Sequence, residues 1–446
     1  MFNKDFIFGV STASYQIEGS TNIDGRTESI WDRFCNIEGN ILDGSDGSKV
    51  CESYIKYKDD VKILKELGVK SYRFSIAWSR VIDESNNPNL KGIEYYKNLC
   101  KELINNNITP LVTLYHWDMP QWIEDLGGFL APNIVELFSH YTDIVTKSLD
   151  GLVKDYITIN EPQCIMYLGH RALVHAPGKY YDNKRMLEAI HNLLKCHGAA
   201  TKIIRKNVKN STVGFAPCSR PFIPTDKNNK ELYDKCKEEY FSLTKDSEYP
   251  NTVSIYSDPV FLGDYPKSYY TEFKDILPKI TKEDLELIHQ PLDYIYQNIY
   301  SGTFCSLKNN ELVVDKFYPG YPEGNISWLQ VVPEALYYGP KYLYERYKLP
   351  IIISENGFCN NDIVSLDGNV HDPERIDYIR RYLSELEKVS SEIEVKGYFL
   401  WSLFDNFEWN SGLSKRFGLV YIDYRDGSRI KKDSFYEFQK IILENK

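Results

Sequence analysis

Short apolar segments alternate along the chain with longer segments that have a helical period. Several of the short segments, such as Ile351-Ile352-Ile353, are apolar without interruption. A continuous apolar run of this length is typical of a strand buried on both faces of a parallel sheet. The pattern predicts eight strands, at Phe6–Ser11, Ser71–Ser75, Thr109–Tyr115, Asp155–Asn160, Val213–Ala216, Tyr294–Asn298, Pro350–Ser354 and Val395–Leu400.

Helical patterns fill the intervals between these strands. From Tyr54 to Leu67, apolar side chains recur three and four positions apart, and Gly68 then provides a stop signal. Ile134–Leu149 and Arg185–Ile204 show the same period. Eight strands with intervening helices predict an α/β fold, a (β/α)8 TIM barrel with long βα loops that forms a single domain over residues 1–446. A doubly wound sheet is the alternative, but no glycine-rich phosphate-binding motif follows any strand.

The composition narrows the classes of function. A net charge of −10, from 53 Lys and Arg against 63 Asp and Glu, disfavours nucleic acid as a partner, because nucleic acids bind clustered positive charge. No apolar run reaches the ~18 residues of a membrane span. The first nine residues lack the apolar core of a signal peptide, so we expect a cytoplasmic protein.

The nine scattered cysteines show no zinc-ligand spacing, so we expect free thiols and no metal site.

Polar side chains recur at the carboxyl ends of the predicted strands, and Arg73 lies within the second strand. In a barrel these ends open onto one face, which holds the active site, so seven distant segments converge on one cleft. The 35 Tyr and 7 Trp include the flat rings that line sugar pockets. The residues at the strand ends are Gln16, His116, Asn160, Glu161, Asn298, Tyr300, Glu355, Asn356 and Trp401.

Two of these residues, Glu161 and Glu355, each follow an apolar strand, which predicts partial burial and raised carboxyl pKa values. Pro162 disfavours the right-handed helical conformation at Glu161, so we expect an extended backbone there. Two carboxyl groups facing each other in an aromatic cleft are suited to glycoside hydrolysis, in which one donates a proton and the other attacks carbon or activates water. The alternative is that each glutamate caps a helix or pairs with a surface lysine.

The chain resembles glycoside hydrolase family 1, the retaining β-glycosidases that include β-glucosidases and 6-phospho-β-glycosidases. The resemblance covers essentially the whole chain, and the order and spacing of its motifs are more specific than any motif alone. The motifs are Phe6-Ile7-Phe8-Gly9, Ser14-Tyr15-Gln16-Ile17-Glu18-Gly19, Tyr72-Arg73-Phe74-Ser75, Tyr115-His116-Trp117-Asp118, Asn160-Glu161-Pro162, His175-Ala176-Pro177-Gly178, Glu355-Asn356-Gly357 and Arg416-Phe417-Gly418-Leu419-Val420-Tyr421.

The resemblance implies a role for each candidate residue. Glu161 would be the acid/base and Glu355 the nucleophile, surrounded by Arg73 and Tyr300, with Asn298 supporting the site. Asn160 would bind the sugar 2-hydroxyl, a contact that strengthens in the transition state. No metal or organic cofactor is implied. The remaining sugar contacts implied are Gln16, His116, Glu408, Trp409, Trp401 as a stacking platform before a cis peptide bond, and Trp328 beside the leaving group.

One segment bears on the substrate. Family members that act on 6-phosphosugars carry Ser at the position of Glu408, with Lys and Tyr seven and nine residues later. Here Glu408 is expected to place a negative charge beside the phosphate site, and Phe417 lacks a phenolic hydroxyl, whereas Lys415 matches the phosphate pattern. We therefore expect a β-glucosidase that releases terminal β-D-glucosyl residues from the non-reducing end of unphosphorylated β-glycosides or short oligosaccharides such as cellobiose. A 6-phospho-β-glycosidase is the alternative.

Other questions stay open at this stage. The sequence does not separate glucose from galactose or fucose, does not fix the oligomeric state, and does not distinguish hydrolysis from transfer of the glycosyl group to a second sugar. A non-catalytic sugar-binding relative is a further alternative, although such proteins typically lose a catalytic glutamate and both are present. One departure from the usual family pattern is Cys218, which stands where Asn is common.

Overall fold

Eight parallel strands close into a barrel in the computed structural model, which describes residues 2–245 and 248–445. Each strand pairs with its neighbour in chain order, and the last strand pairs with the first. The prediction of a (β/α)8 barrel is therefore confirmed. The barrel strands are β1 (Ile7–Ser11), β2 (Ser71–Ser75), β3 (Thr109–Tyr115), β4 (Asp155–Asn160), β5 (Thr212–Ala216), β6 (Tyr294–Ile299), β7 (Ile351–Asn356) and β8 (Val395–Trp401).

Three strands run further than their apolar patterns predict: β6 by one residue, to Ile299, and also β7 and β8. Glu355 and Asn356 lie inside β7 rather than after it, and Trp401 is the last residue of β8. The pairing of β7 with β6 skips a residue between Ile353 and Glu355, so the ladder continues past an irregularity that the apolar pattern does not encode. The carboxyl group of Glu355 is therefore held by the sheet itself and not by a loop.

Helices cover the outside of the barrel, and the predicted ones are present. The helix over Ser53–Leu67 ends at Gly68, whose backbone has a left-handed φ of 83°. The helices are α1 (Ser14–Ile17), α2 (Ile30–Cys35), α3 (Ser53–Leu67), α4 (Trp78–Val81), α5 (Leu90–Asn105), α6 (Gln121–Asp125), α7 (Ile134–Ser148), α8 (Pro162–His170), α9 (Asn183–Asn207), α10 (Lys230–Tyr240), α11 (Val253–Leu262), α12 (Lys267–Glu272), α13 (Lys282–Ile288), α14 (Ala335–Tyr347), α15 (Pro373–Ser390) and α16 (Asp433–Glu444).

Short elements in the long loops surround the mouth of the barrel. Phe222–Pro224, Thr303–Lys308 and Glu311–Val314 form a small sheet beside β6, and Cys218–Ser219 extends the pairing of β6. Val420–Asp423 and Ser428–Lys431 form a hairpin that leads into α16. The 3-10 helices are Gly47–Lys49, Gly128–Leu130, Tyr249–Asn251 and Trp409–Ser414.

The barrel interior is filled by side chains, so it is a packed core and not a channel. A β-carbon at Gly9 on β1 would lie 2.4 Å from the ring of Phe399, and one at Gly214 on β5 would lie 2.4 Å from the ring of Tyr296. Glycine at these two positions therefore makes room for two large rings. The interior cluster consists of Leu111, Ile157, Ala216, Tyr296, Ile352 and Phe399.

None of the helices within residues 2–245 and 248–445 has both the length and the apolarity to cross a membrane.

A buried group of charges anchors the loop that follows β8. The ammonium group of Lys432, which precedes α16, is fully buried and lies 2.6 Å from a carboxylate oxygen of Asp405; it also pairs with Asp362. Arg375 of α15 donates to Asp362 at 2.6 Å. Asp405 in turn accepts from Arg416 at 2.6 Å, and Arg375 donates to the carbonyl of Arg416 at 2.9 Å, so both ends of the loop from Trp401 to Phe417 are tied to this buried cluster.

We predict that Lys432→Met destabilises the protein far more than Lys431→Met. Removing one partner of a buried ion pair leaves an uncompensated charge and costs about 3–5 kcal/mol. Lys431, the neighbouring residue, pairs with Glu66 at the surface, where a lost pair costs about 1 kcal/mol or less. The measurement is the guanidinium midpoint of unfolding for both variants, and equal shifts would contradict this account of the loop anchor.

Candidate active site

A cavity of about 750 Å³ lies at the carboxyl end of the barrel strands. Glu161 directly follows β4 and Glu355 lies in β7, and both line this cavity although both are buried. The other predicted site residues that line it are His116, Asn298, Tyr300, Trp328, Trp401, Glu408 and Trp409. Three predicted site residues do not line the cavity and are fully buried behind the residues that do: Gln16, Arg73 and Asn160. Arg73 bonds Glu355 and Asn160 bonds His116, whereas Gln16 bonds Phe407, the residue before Glu408.

The guanidinium of Arg73 connects Glu355 to Asn160. One nitrogen donates to Oε1 of Glu355 at 2.6 Å, and another donates to Oδ1 of Asn160 at 2.6 Å. Nε donates to the hydroxyl of Thr113 at 3.0 Å, which fixes the plane of the guanidinium. The planar group thus bonds side chains from three other strands at once through three separate nitrogens, whereas a lysine would offer all of its donors on one nitrogen.

Asn298 completes the connection on the side of Glu161. Its Nδ2 donates to Oε1 of Glu161 at 2.7 Å and to Oδ1 of Asn160 at 2.9 Å. Its own Oδ1 accepts a hydrogen bond of 2.6 Å from the hydroxyl of Ser354. The amide is therefore oriented by its acceptor contact, so that both donors face the centre of the site.

The backbone at Glu161 differs from the expected extended conformation, and that prediction is wrong. Glu161 has φ 42° and ψ 68°, in the left-handed region, and Pro162 begins α8 immediately afterwards. Its N–H donates to the carbonyl of Ala216 on β5 at 2.8 Å. The chain must turn within one residue from the edge of the barrel into a helix, and a left-handed residue achieves this at a strain of about 1–3 kcal/mol.

Glu355 carries the charge of the pair. Burial raises the pKa of Glu355 above its ordinary value, and Arg73 and the hydroxyl of Tyr300, which donates to Oε2 at 2.8 Å, limit this rise. Each of its two carboxylate oxygens therefore accepts a strong hydrogen bond, one of them from a cation. This arrangement favours the ionised form at neutral pH.

Glu161 is set up for the opposite protonation state. Burial raises its pKa to about 7, and the negative charge of Glu355 adds to this shift. Asn298 is a neutral donor and compensates only part of the effect. Two carboxyl groups in one cavity are thus held apart in pKa by their different partners, as is required of an acid and a nucleophile that work together.

Aromatic rings form the wall on one side of the carboxyl pair. The rings of Trp401 and His116 are nearly parallel, with centroids 5.9 Å apart, and His116 is stacked in the same way at 5.9 Å on Trp409. Trp117 packs against Trp409 with centroids 4.6 Å apart. The peptide bond from Trp401 to Ser402 is cis. The wall presents flat apolar surface of the kind on which sugar rings stack.

Polar atoms of three predicted sugar-binding residues are buried and have no hydrogen-bond partner in the described part of the protein. They are Oε1 of Gln16, Nδ1 of His116 and Oε2 of Glu408. Two of the three side chains are held at their other polar atom: Nε2 of Gln16 donates to the carbonyl of Phe407 at 2.7 Å, and Nε2 of His116 lies 3.1 Å from Nδ2 of Asn160. Buried polar atoms normally find partners, so these three are suited to binding hydroxyl groups of a ligand.

The charge expected on Glu408 requires correction. Burial, together with the nearby Glu355 and Glu161, raises the pKa of Glu408 to about 8, so its carboxyl group is mostly neutral at pH 7. The residue type alone suggests a negative charge, but burial beside two other carboxyl groups disfavours a third charge. The argument against a phosphate group can therefore not depend on repulsion by Glu408.

Trp328 lies at the opposite, open end of the cavity. It is 42% exposed, and its ring is stacked against Phe417 with centroids 6.3 Å apart. It also meets the edge of Tyr300, whose centroid is 5.5 Å away. The cavity therefore has a closed end at Glu408 and Trp409 and an open end at Trp328.

Sequence reasoning missed several residues that line the cavity. Tyr240 of α10 and Phe222 reach it from the long loop after β5, which carries no motif. Cys164 and Cys218 also line it, and their sulfur atoms are 3.7 Å apart. Together with Glu161 they form, in the part of the chain that the structure describes, the one group of three potential metal ligands, with ligand atoms within 4.8 Å of each other. Cys164 and Cys218 are far apart in the sequence, so no sequence pattern indicates that their sulfur atoms lie close together.

Comparison with known proteins places this site in a family. The model of glycosyl hydrolase family 1 matches residues 1–446.

The chain belongs to glycosyl hydrolase family 1.

The predictions of this family and of an enzyme are both confirmed. Over 448 residues the chain is 37% identical to "Beta-glucosidase A" of Thermotoga maritima, covering 100% of this chain and 98% of that protein. It is 38% identical over 453 residues to "Beta-glucosidase A" of Acetivibrio thermocellus, with the same coverage. The structure of the Thermotoga maritima β-glucosidase in complex with glucoimidazole superimposes with a TM-score of 0.90 at 36% identity, covering 100% and 99% of the two chains.

For this member of family 1 we predict that Tyr300→Phe moves the acid limb of the pH–activity profile to higher pH. The lost hydrogen bond stabilises the ionised form of Glu355, and a bond to a charged group contributes about 1.5–3 kcal/mol, or about one to two pH units. The measurement is kcat/KM against pH on p-nitrophenyl β-glucoside. Tyr240→Phe is the control, because Tyr240 lines the cavity and its buried hydroxyl bonds neither carboxyl group. An unshifted limb in Tyr300→Phe would contradict the pKa assignment.

Proposed function

We propose that this protein is a retaining, exo-acting β-glucosidase that hydrolyses unphosphorylated β-glycosides and short oligosaccharides. The observation that carries the proposal is the pair of buried carboxyl groups, Glu161 and Glu355, whose partners push their protonation states apart. The relatives named above are β-glucosidases, which supports glucose as the sugar. The family match over all residues supports one catalytic domain over residues 1–446.

In the first step, the ionised carboxylate of Glu355 attacks the anomeric carbon while Glu161 donates its proton to the leaving oxygen. The C–O bond to the leaving group breaks as the ester bond to Glu355 forms, so the product is a covalent glycosyl-enzyme and a free alcohol. The raised pKa of Glu161 keeps a proton available near neutral pH.

In the second step, Glu161 acts as a base. Esterification removes the negative charge of Glu355, which had helped to raise the pKa of Glu161, so Glu161 becomes a stronger acid and remains ionised. It accepts a proton from a water molecule that attacks the anomeric carbon, and Glu355 departs as a carboxylate stabilised by Arg73 and Tyr300. Two inversions at the same carbon give net retention.

The shape of the cavity supports cleavage from the non-reducing end. Gln16, His116 and Glu408 offer their unpartnered polar atoms at the closed end, which suits the hydroxyl groups of one terminal sugar. Trp401 supplies the stacking surface, and the buried Asn160 bonds Arg73, His116 and Asn298 behind the cavity wall. The leaving group would extend past Trp328 toward solvent.

Among the described residues, the Lys or Arg that lines the cavity is Arg220, which donates to the carbonyl of Trp328 at the open end, and this supports an unphosphorylated substrate. Lys415, which matches the pattern of the phosphate-binding members, is not among the residues that line the cavity. The neighbouring Arg416 is paired with Asp405 at 2.6 Å and accounts for that charge. A phosphate dianion beside Glu408 would therefore meet one mostly neutral carboxyl group and no described cation. Desolvation of a dianion without a partner is strongly unfavourable.

The test is a set of initial rates on p-nitrophenyl β-glucoside, p-nitrophenyl β-galactoside and p-nitrophenyl β-glucoside 6-phosphate. We expect the glucoside to be cleaved with a kcat/KM at least tenfold above that of the 6-phosphate, and proton NMR to show β-glucose as the first product. Rates should fall as pH rises through about 7, because Glu161 then loses the proton that it donates.

Two matched amide variants separate the roles of the carboxyl groups. Glu355→Gln should lose activity on every substrate, whereas Glu161→Gln should retain far more activity on an aryl glycoside whose leaving group needs no proton. A preference for the 6-phosphate would contradict the substrate proposal and leave the mechanism intact. An α-anomer as first product would contradict retention.

A further inference from the structure

Cys164 and Cys218 form a pair of thiols in the cavity wall that the proposed reaction does not use. Cys164 lies in the first turn of α8, three residues after Glu161, and Cys218 begins the short strand Cys218–Ser219 after β5. Both thiols line the cavity and are only partly buried. Cys35 is partly buried as well, but it contacts Tyr15 away from this cavity, and the other six cysteines are buried.

The spacing of the two sulfur atoms is that of two ligands on one zinc ion. A Zn–S bond is about 2.3 Å long, and a tetrahedral angle then places two thiolates about 3.8 Å apart. The sulfur atoms of Cys164 and Cys218 are 3.7 Å apart. A carboxylate oxygen of Glu161 lies within 4.8 Å of both, so a third ligand is present and needs only a small movement.

The surroundings leave a fourth position free. The three side chains face a cavity of about 750 Å³, from which a water molecule can complete a tetrahedron. Thiolate ligands select thiophilic ions such as Zn²⁺, whereas Mg²⁺ and Ca²⁺ prefer oxygen ligands. A site with three protein ligands and an open cavity allows the ion to enter and leave, as expected of a regulatory site rather than a structural one.

We propose that Glu161, Cys164 and Cys218 form an inhibitory binding site for a thiophilic divalent cation, with Zn²⁺ as the representative ion. Two S–Zn bonds form as the thiols release two protons to water, and the carboxyl group of Glu161 also gives up its proton when it binds. Coordination removes both the proton and the free oxygen that Glu161 needs. Inhibition rests on the acid/base role proposed for Glu161, whereas binding does not.

Direct binding is measured first, with freshly reduced protein under nitrogen. Titration with Co²⁺ in place of Zn²⁺ should give one equivalent of sulfur-to-cobalt charge-transfer absorption, which Zn²⁺ displaces. Cys164→Ser and Cys218→Asn should each weaken binding of the ion by at least tenfold, while the matched control Cys35→Ser should bind as the unaltered protein does. Cys218→Asn introduces the residue common at this position in the family.

Inhibition is then measured as the Zn²⁺ concentration that halves the rate on p-nitrophenyl β-glucoside, relative to the zinc-free rate of each variant. We expect reversal by a chelator and at least tenfold lower sensitivity in Cys164→Ser and Cys218→Asn than in Cys35→Ser. Inhibition unchanged by the cavity cysteine variants, or absence of the charge-transfer absorption, would overturn the site. If Zn²⁺ binding depends on the two cysteines but does not inhibit the enzyme, the acid/base role proposed for Glu161 is overturned and the metal site is supported.

One further result would overturn the proposal. The number of thiols that react with a thiol reagent is counted before and after reduction of the protein. If two fewer react before reduction, and the unreduced protein does not bind Zn²⁺, the pair is a disulfide in the native protein and not a metal site. Full reaction of both cavity thiols in freshly purified protein, with zinc protecting them, supports the metal site.

Discussion

The buried guanidinium of Arg73 is the interaction on which the site depends. Glu161, Glu355 and Glu408 are three of the carboxyl groups that line one cavity, and Arg73 is the cation that bonds one of these three among the residues that the structure describes. One positive charge stabilises one negative charge, and burial disfavours further ionisation, which is why the pKa values of Glu161 and Glu408 are raised to about 7 and about 8. In the proposed mechanism, the position of this single cation therefore decides which carboxyl group attacks and which holds a proton.

The barrel is what brings this cation to the carboxyl groups. Arg73 on β2, Glu161 after β4 and Glu355 on β7 are far apart in sequence, but closure of the sheet points their side chains at one another. Closure depends in turn on the interior packing, in which Gly9 and Gly214 leave room for two aromatic rings. The loop that carries Glu408 is not part of the sheet, and a separate buried ion cluster around Lys432 holds it in place.

The sequence was sufficient to predict the barrel and the gathering of the candidate residues, because apolar strand patterns and polar strand ends are local signals. Other features depend on packing between distant segments and have no local signal. The contact of Cys164 with Cys218 is of this kind, and so is the raised pKa of Glu408, since the residue type shows neither burial nor neighbours. The left-handed backbone of Glu161 depends on the hydrogen bond to Ala216 on the next strand. The end of β7 was misplaced because a pairing irregularity lets the strand continue into polar residues.

The most direct test of this electrostatic account is the pKa of Glu161 before and after Glu355 loses its charge. Carbon-13 NMR of glutamate carboxyl groups can follow it in the free protein and in protein whose Glu355 is esterified by a 2-deoxy-2-fluoroglucosyl group, with Glu161→Gln to assign the signal. The account predicts a pKa of about 7 in the free protein and a fall of about one unit or more on esterification. An unchanged pKa, or a protonated Glu355 in the free protein at neutral pH, would contradict it.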